Sequence, residues 1–459
     1  MTDTVAEKTP AAEALIDAAQ IGRALMGGTK AMRAAGRTYL PQFPAESDDA
    51  YKARLDSSFL FNGFRKTVRD MTGRVFTKSV EIEGDTLQEE AANIDMQGQD
   101  LSAFARNVFE AALGGCGLTF IMVDAPPRPE ELTKAQAAAQ NMRPYLVHVP
   151  VEEVLGWKTE TVGSQIRLKQ WRMMEAIEVD DPQDEFKTET VKQVRVLSLV
   201  EGRVNVRLYR QSTDKGDWSV VEEFDTEATE ITVAPFYANP KGFLKAEPPL
   251  EDLADKNLEH WLSASDQRNI LHSARVPILF ASGIDEDQKI TLSADSAVTA
   301  RNPEAKLEWV EHSGAAIEAG RNDLKDLEFQ MQVLGLMLLV AGTETATGAS
   351  LDAAKETAPL AMMADNLKDT LERCLGWFSM YQGAEAEFTV KVNKDFGVSL
   401  LTAQEFLAML SAVNTGQMPR RVFIEEMKRR GFLAEDTDTD AYIEELEDEV
   451  PDELSNGGE

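Results

Sequence analysis

The sequence predicts an α+β protein, and three observations carry that expectation. Between Pro144 and Phe236 apolar residues recur at a spacing of two, in short runs separated by Gly, Asp and Pro clusters, which is the pattern of antiparallel strands. On both sides of that region the spacing returns to three and four, the pattern of helices with one buried face. The chain has 459 residues, 43% of them hydrophobic, enough to bury sizeable cores in roughly two to four folding units.

From the N-terminus, Leu15, Ile16, Ala19, Leu25 and Met26 predict a helix that begins at Pro10 and ends at Gly27-Gly28. Tyr39-Leu40-Pro41 reads as extended, because proline disfavours helix in the residue before it. Ser47-Asp48-Asp49 is an N-cap cluster for a long helix over Tyr51, Leu55, Phe59, Phe64, Val68, Met71 and Val75, broken near Gly63. Asp100 or Ser102 caps a further helix through Ala112, and Leu118 to Val123 is β-prone. Strands follow at Leu146 to Val149, Gln165 to Met174, Val191 to Val200, Val204 to Tyr209, Trp218 to Phe224 and Ile231 to Phe236.

Pro248-Pro249 marks a switch back to helical spacing, which runs from Leu250 to about His272. Val276 to Phe280 and Leu307 to Val310 read as strands, with a short helix at Ser293 to Ala300, so 276–313 is an insert between long helices. In the next helix Ile317, Leu324, Met331 and Leu338 repeat every seven residues, interleaved with Gly320, Leu327, Leu334 and Ala341. That apolar seam needs a partner along its length. Gly342, Thr343, Glu344, Thr345, Ala346, Thr347, Gly348, Ala349 and Ser350 then form a loop with no large apolar anchor. The following stripe of Leu360, Met363, Leu367, Leu371, Cys374, Leu375 and Phe378 predicts a helix capped by Ser350 or Asp352 and kinked at Pro359. Glu387 to Val392 reads as a strand, Thr402 with Glu405 as a capping box for a helix through Val413, and Pro419 as the start of a helix that Gly431 closes. Beyond Arg430 there are twelve acidic residues and no Lys or Arg, the composition of a solvated acidic tail.

The formal charge of −32 argues against wrapping nucleic acid, which requires clustered Lys and Arg. It leaves open a protein that surrounds DNA without gripping it. Cys116 and Cys374 are far apart and in apolar surroundings, as reduced core thiols are. No charged segment followed by an apolar run opens the chain, and no run approaches the roughly 20 residues that span a bilayer, so neither a secretion signal nor a membrane partner is expected. No phosphate-binding glycine loop occurs. The four histidines, His148, His260, His272 and His312, include no metal-ligand spacing. Acidic neighbours such as Asp48-Asp49, Asp180-Asp181 and Glu425-Glu426 are what an acidic composition produces. Arg420-Arg421 and Lys428-Arg429-Arg430 are interrupted by Glu425 and Glu426, so a charge-paired helix face is favoured over a nucleic-acid patch. The six tryptophans are dispersed, as core residues are. No catalytic residue, metal site or cofactor is expected.

Several stretches, taken in order, resemble one family. These are Tyr39-Leu40-Pro41 with Glu46-Ser47, Tyr51 and Arg54-Leu55; Asn62, Thr67, Gly73 and Phe76; Pro248-Pro249-Leu250 to Asp255, His260 and Ser265-Asp266; Val276-Pro277 to Gly283; and Ala341-Gly342 to Ala354. The family is the portal proteins of tailed double-stranded DNA bacteriophages, in particular a phage portal-like branch. The resemblance implies an α/β wing over 1–249, a stem of two helices at 250–275 and 314–341, and a small α/β clip at 276–313. It also implies a DNA-facing tunnel loop at 342–350, a kinked wing helix with a returning strand at 351–398, a helical crown at 399–434 and an acidic tail at 435–459.

The function implied is a ring, commonly a dodecamer, at one capsid vertex, through which DNA is packaged and ejected without sequence-specific binding. The implied partners are the terminase large subunit, a head-tail adaptor, and the major capsid and scaffold proteins. The implied location is the virion, and the host cytoplasm during assembly. Ser282, Gly283, Ile284, Asp285, Glu286 and Asp287 would sit in the clip where terminase and adaptor dock. An acidic channel wall gives phosphates few attractive minima, and Glu344 repeated around a ring would face DNA with like charge. The alternatives are a scaffold or capsid-associated protein without a channel, since heptad seams also build closed bundles, and an enzyme whose site is assembled from scattered residues.

Overall fold

In a computed structural model the chain is a mixed α and β protein, described over residues 3–84, 87–126, 142–180, 184–211, 217–274, 278–283, 304–310, 314–336, 359–382, 388–394, 396, 403–429, 433 and 437–448. It divides into two compact units, Met1–Lys394 and Asp395–Glu459.

The larger unit opens with helix α1 (Pro10–Ala35), whose N-cap Thr9 accepts from the Ala12 amide and whose first residue is proline. The helix breaks at Gly28, as its glycines predict, and a second helical stretch continues beyond the kink to Ala35. Gly28 takes a left-handed φ of 73°. The break is held from outside, because the Arg65 guanidinium lies over Gly28 and reaches the Met26 carbonyl.

The helical face over 48–76 is broken near Gly63, as predicted, into two helices. α2 (Asp48–Ser57) is capped by Ser47, and α3 (Gly63–Val75) is capped by Asn62, which accepts from the Arg65 amide at 2.8 Å. The break falls at 58–62, so Gly63 begins the second helix. A short strand β1 (Glu81–Glu83) and a one-turn helix α4 (Gln88–Ala91) lead to α5 (Leu101–Leu113), whose cap is Asp100. Ser102 instead accepts from the Val80 amide.

Two antiparallel sheets form the middle of the unit. The first contains β2 (Leu118–Asp124), β3 (Tyr145–Val149) and β9 (Val233–Tyr237) in the order β3-β2-β9. The second is the meander β4 (Val154–Val162), β5 (Gln165–Asp180), β6 (Thr188–Val200), β7 (Arg203–Gln211) and β8 (Trp218–Asp225). Strand β4 is not evident from periodicity, because its second half is exposed and polar and only its start faces the core. Trp171 on β5 is fully buried, stacks on Trp157 of β4 and meets Phe120 of β2 edge-on, so one aromatic cluster joins both sheets to the start of α1. Arg195 joins them a second time, with Asp124 at 3.1 Å and Glu175 at 2.6 Å. Two short strands, β10 (Pro240–Gly242) and β11 (Lys245–Ala246), close a turn before the next helix.

Helix α6 (Glu251–Ala274) and helix α7 (Ala315–Leu336) run antiparallel, as the pairs His260 with Glu328 and Gln267 with Ile317 establish. Between them in the chain lie β12 (Ile278–Ser282) and β13 (Lys306–Val310), paired antiparallel from Ile278 with Val310 to Ser282 with Lys306. The short helix expected at Ser293 to Ala300 lies outside the described residues. Helix α8 (Pro359–Gln382) buries the predicted stripe of Leu360, Met363, Leu367, Leu371, Cys374, Leu375 and Phe378. Its Asn366 and Thr370 donate to the Tyr237 and Pro235 carbonyls on the free edge of β9, covering an edge that could otherwise pair with another strand. Strand β14 (Thr389–Lys391) is shorter than predicted and pairs with β1.

The smaller unit holds α9 (Ala403–Asn414), α10 (Arg420–Arg429) and α11 (Thr439–Asp448). Thr402 and Gly431, expected to start the first of these and end the second, lie outside the described residues. The acidic tail is not wholly solvated. α11 forms within it and packs on α10, with Thr439 buried and bonded to Glu425, and Arg421 3.7 Å from Asp440. The basic face of α10 is thus partly charge-paired, as its composition predicts.

Candidate functional site

Helix α6 buries four polar side chains, Asn257, His260, Ser265 and Gln267. A buried polar group without a partner is costly, so the partners of these four define what the helix is built to hold.

Asn257 is fully buried. Its Oδ1 accepts from the Phe64 amide at 2.8 Å and its Nδ2 donates to the Phe61 carbonyl at 2.9 Å, so one side chain fixes both ends of the turn into α3. Ser58 Oγ stands 2.8 Å from the Arg54 carbonyl and 3.0 Å from Ser265 Oγ. Each hydroxyl has one proton; with Ser58 donating to the carbonyl, Ser265 donates to Ser58. Gln267 Nε2 donates to the Ile317 carbonyl at 2.8 Å on α7, and in this rotamer it sits against Gly320, where a Cβ would be 2.1 Å from Gln267 Oε1. His260 packs against the Phe61 ring with centroids 5.2 Å apart, and its Nε2 is 3.5 Å from Glu328 of α7. Burial lowers the basicity of His260, and Glu328 opposes that shift.

Arg54 lies behind this row. Its Nε and Nη2 grip the two oxygens of Glu46 at 2.8 and 2.9 Å, Nη2 also donates to the Pro41 carbonyl at 2.7 Å, and its guanidinium sits 4.2 Å from the Phe43 ring centre. Both side chains are less than a tenth exposed. The Arg54 hydrogen bonds hold the Glu46 carboxyl below the usual carboxylate range, with the Phe43 amide contributing, and Glu46 in turn raises Arg54. Burial raises the neighbouring Asp266 carboxyl. Arg33 and Arg268 donate to the Ser58 and Ser57 carbonyls, so the 57–62 link is held from α1, α6 and its own cap.

The buried ion pair of this junction is Arg54 with Glu46, and among the described residues no group of three or more His, Cys, Asp or Glu could hold a metal. Cys116 and Cys374 are buried and free, with burial pushing the Cys116 thiol up to about 11 and Cys374 upward as well, so neither is a nucleophile at neutral pH. His148, on β3, is held down to about 4 by burial, with Nε2 2.8 Å from Thr119 Oγ1.

Of the residues assigned roles from sequence, Ser282 ends β12 opposite Lys306, and Gly283 follows with a left-handed φ of 69°. Ile284 to Asp287 and the whole loop from Gly342 to Ser350 lie outside the described residues. Pro359 is the first residue of α8, and the turn before it, where a kink would show, lies outside them too. Many stretches named separately in the sequence converge on the junction: Leu40-Pro41, Glu46, Arg54 and Asn62 from one side, His260 and Ser265-Asp266 from the other. What sequence reasoning missed is that they touch. The available signal was Asn257 and Ser265 falling in the same helical stripe as Leu250, Leu253 and Trp261, since polar groups on a buried face need specific partners.

The fold and junction define a mixed α and β body that carries an antiparallel helix pair with a small two-stranded sheet inserted between its helices. A family described as a domain of unknown function (DUF4055) matches residues 249–382, less than a third of the chain, and this block holds the pair, the inserted sheet and α8. No curated protein matches. A chain from a solved structure, the virion of a native gene transfer agent particle, is similar at 12% identity over 84% of this chain and 94% of that one, with a TM-score of 0.37. Nothing about this chain follows from a likeness at that score. Among the described residues no helix is long and apolar enough to cross a membrane.

Proposed function

We propose that this chain is the portal subunit of a tailed-phage-type capsid, assembling as a ring around a channel for double-stranded DNA. The observation that carries the reading is the antiparallel pair α6 and α7, with β12 and β13 inserted between them and α6 locked to the α/β body through Asn257, Ser265 and the Arg54–Glu46 pair. In this reading the pair is the stem, residues 276–313 are the clip, 342–350 the tunnel loop, α8 the wing helix and 399–434 the crown. The junction transmits load between stem and wing, which explains a polar, geometrically specific contact where apolar packing would allow sliding.

The charge of −32 supports passage of DNA without retention. Terminase and adaptor dock on the clip around Ser282 and Gly283, and capsid and scaffold proteins surround the wing. The chain is not an enzyme on this reading and needs no cofactor.

The test is negative-stain electron microscopy with native mass on one sample of the purified chain. Closed rings with an axial hole and a mass near a dodecamer of the 50.7 kDa chain are expected. A small closed oligomer without a hole would replace the reading with a scaffold protein. Given rings, Glu344→Lys is expected to slow packaging without altering assembly, and removal of 285–295 to abolish terminase and adaptor attachment.

A further inference from the structure

Strands β5 and β6 outrun their sheet. β4 stops pairing with β5 at Met173, and β7 stops pairing with β6 at Gln193, yet β5 and β6 continue together from Ala176 with Lys192 to Asp180 with Thr188. A free two-stranded ribbon is marginal in water. This one carries Ile177 opposite Val191, Val179 at 39% exposure and, at its tip, Phe186 at 88% exposure. Next to β6, Asp184 accepts from the Phe186 amide and pairs with Lys187, and the Phe186 ring is exposed. Between Glu175 and Lys192 the sequence has seven acidic residues and two lysines. A surface that receives this arm has to be apolar at its centre and basic around it.

The same chain has such a surface. Helix α3 carries Arg65, Lys66, Arg69 and Arg74 against one acidic residue, Asp70, in a chain whose overall charge is strongly negative. Between α3 and α7 runs an open groove of about 600 Å³, with Lys66, Arg74 and Lys325 on its rim, Met331 at its floor, and Phe61 and Phe329 on its walls at 47% and 66% exposure. Asp70 and Glu328 also line it, with Lys66 paired to Asp70 at 2.7 Å, so the rim is basic by one charge among these side chains.

We propose that the β5–β6 arm of one copy docks through Phe186 into the α3–α7 groove of a second copy of this chain. The two surfaces are different patches of one molecule, so the contact is head-to-tail; such a contact closes into a ring or runs on as a filament, depending on the rotation it imposes. The opposite charges of arm and groove steer the encounter and exclude arm-to-arm pairing. The contact goes beyond the ring reading by naming the surfaces, and it stands or falls separately.

The experiment places the photo-crosslinker p-benzoylphenylalanine at position 186 of the full chain and maps adducts by peptide mass spectrometry. Adducts between copies within 61–78 or 325–335 are expected. Glu185→Lys in the arm should lower their yield several-fold, and Lys66→Glu in the receiving copy should restore it. Adducts confined to one copy, adducts between copies elsewhere, or none between copies would overturn the proposal. Closed rings with adducts elsewhere would leave the ring reading standing without this contact. Groove adducts in filaments or open dimers would support the contact and count against the ring.

Discussion

Arg54 and Glu46 face each other through two hydrogen bonds of 2.8 and 2.9 Å with hardly any exposure of either side chain, eight residues apart in sequence and directly behind Ser265 of α6. A buried ion pair contributes little net stability relative to an apolar substitute, but removing one member leaves the other charged and dry. Arg54→Ala should therefore cost about 3 kcal/mol. Arg54→Lys should recover only part, because an ammonium cannot span both Glu46 oxygens and the Pro41 carbonyl together. Urea unfolding of the three proteins, compared at unchanged slope, measures this. Equal stability of Arg54→Ala and the parent would show that the pair is dispensable to the junction.

Glu46 and His148 both make stability fall in acid, and their windows differ. The Glu46 carboxyl is depressed by Arg54, so its contribution is complete above the ordinary carboxylate range and is lost as pH falls through its lowered value. His148 binds its proton at about 4 when folded and near 6.5 when unfolded, so the unfolded chain takes up a proton first and stability declines between those values. At about 1.4 kcal/mol per pH unit the His148 loss is on the order of 3 kcal/mol. Replacing His148 with Gln should flatten the stability profile between pH 6.5 and 4 while leaving the steeper acid limb. A profile unchanged in that window would place the proton elsewhere.

The seam on α7 makes a contrast within one helix. Leu327 and Met331 are 3% exposed, whereas Phe329 between them is 66% exposed. Leu327→Ala or Met331→Ala should each cost about 3 kcal/mol in the isolated chain, and Phe329→Ala should change it by less than about 0.5 kcal/mol. Thermal or chemical unfolding of a dilute sample separates the two classes.

Much of this fold was legible because buried faces repeat at the period of their element. The α8 stripe and most of the strands follow from that alone, and on the α7 seam Leu327 and Met331 are buried while Ile317, Leu324 and Leu334 are half-buried. Elements whose existence depends on distant partners were not legible. Strand β1 is three residues long and exists only through β14, more than 300 residues later in the chain. The break of α1 at Gly28 was legible, but the helical stretch beyond it to Ala35 was not, and Arg65 from another helix lies over that break. The junction was half legible: its residues stood out singly, but the bonds from Ser58 to Ser265 and from Asn257 to Phe61 span about two hundred residues, and local pattern carries no information about such pairs.

Two glycines in helices should respond to alanine with opposite sign. Gly376 lies on the exposed side of α8, and a Cβ there meets nothing within 4 Å, so Gly376→Ala gains helix propensity, about 1 kcal/mol, without a clash. Gly22 lies on the buried side of α1, where a Cβ would stand 2.3 Å from the Gly114 carbonyl oxygen. That oxygen belongs to the backbone at the end of α5 and cannot swing aside as a side chain does. Gly22→Ala therefore has to push α1 away from α5, and the loss of close packing outweighs the same propensity gain. Melting curves of the two variants should move in opposite directions from the parent, upward for residue 376 and downward for residue 22. A rise for both would mean that the approach of α1 to α5 is looser than 2.3 Å implies and that backbone entropy alone governs these positions.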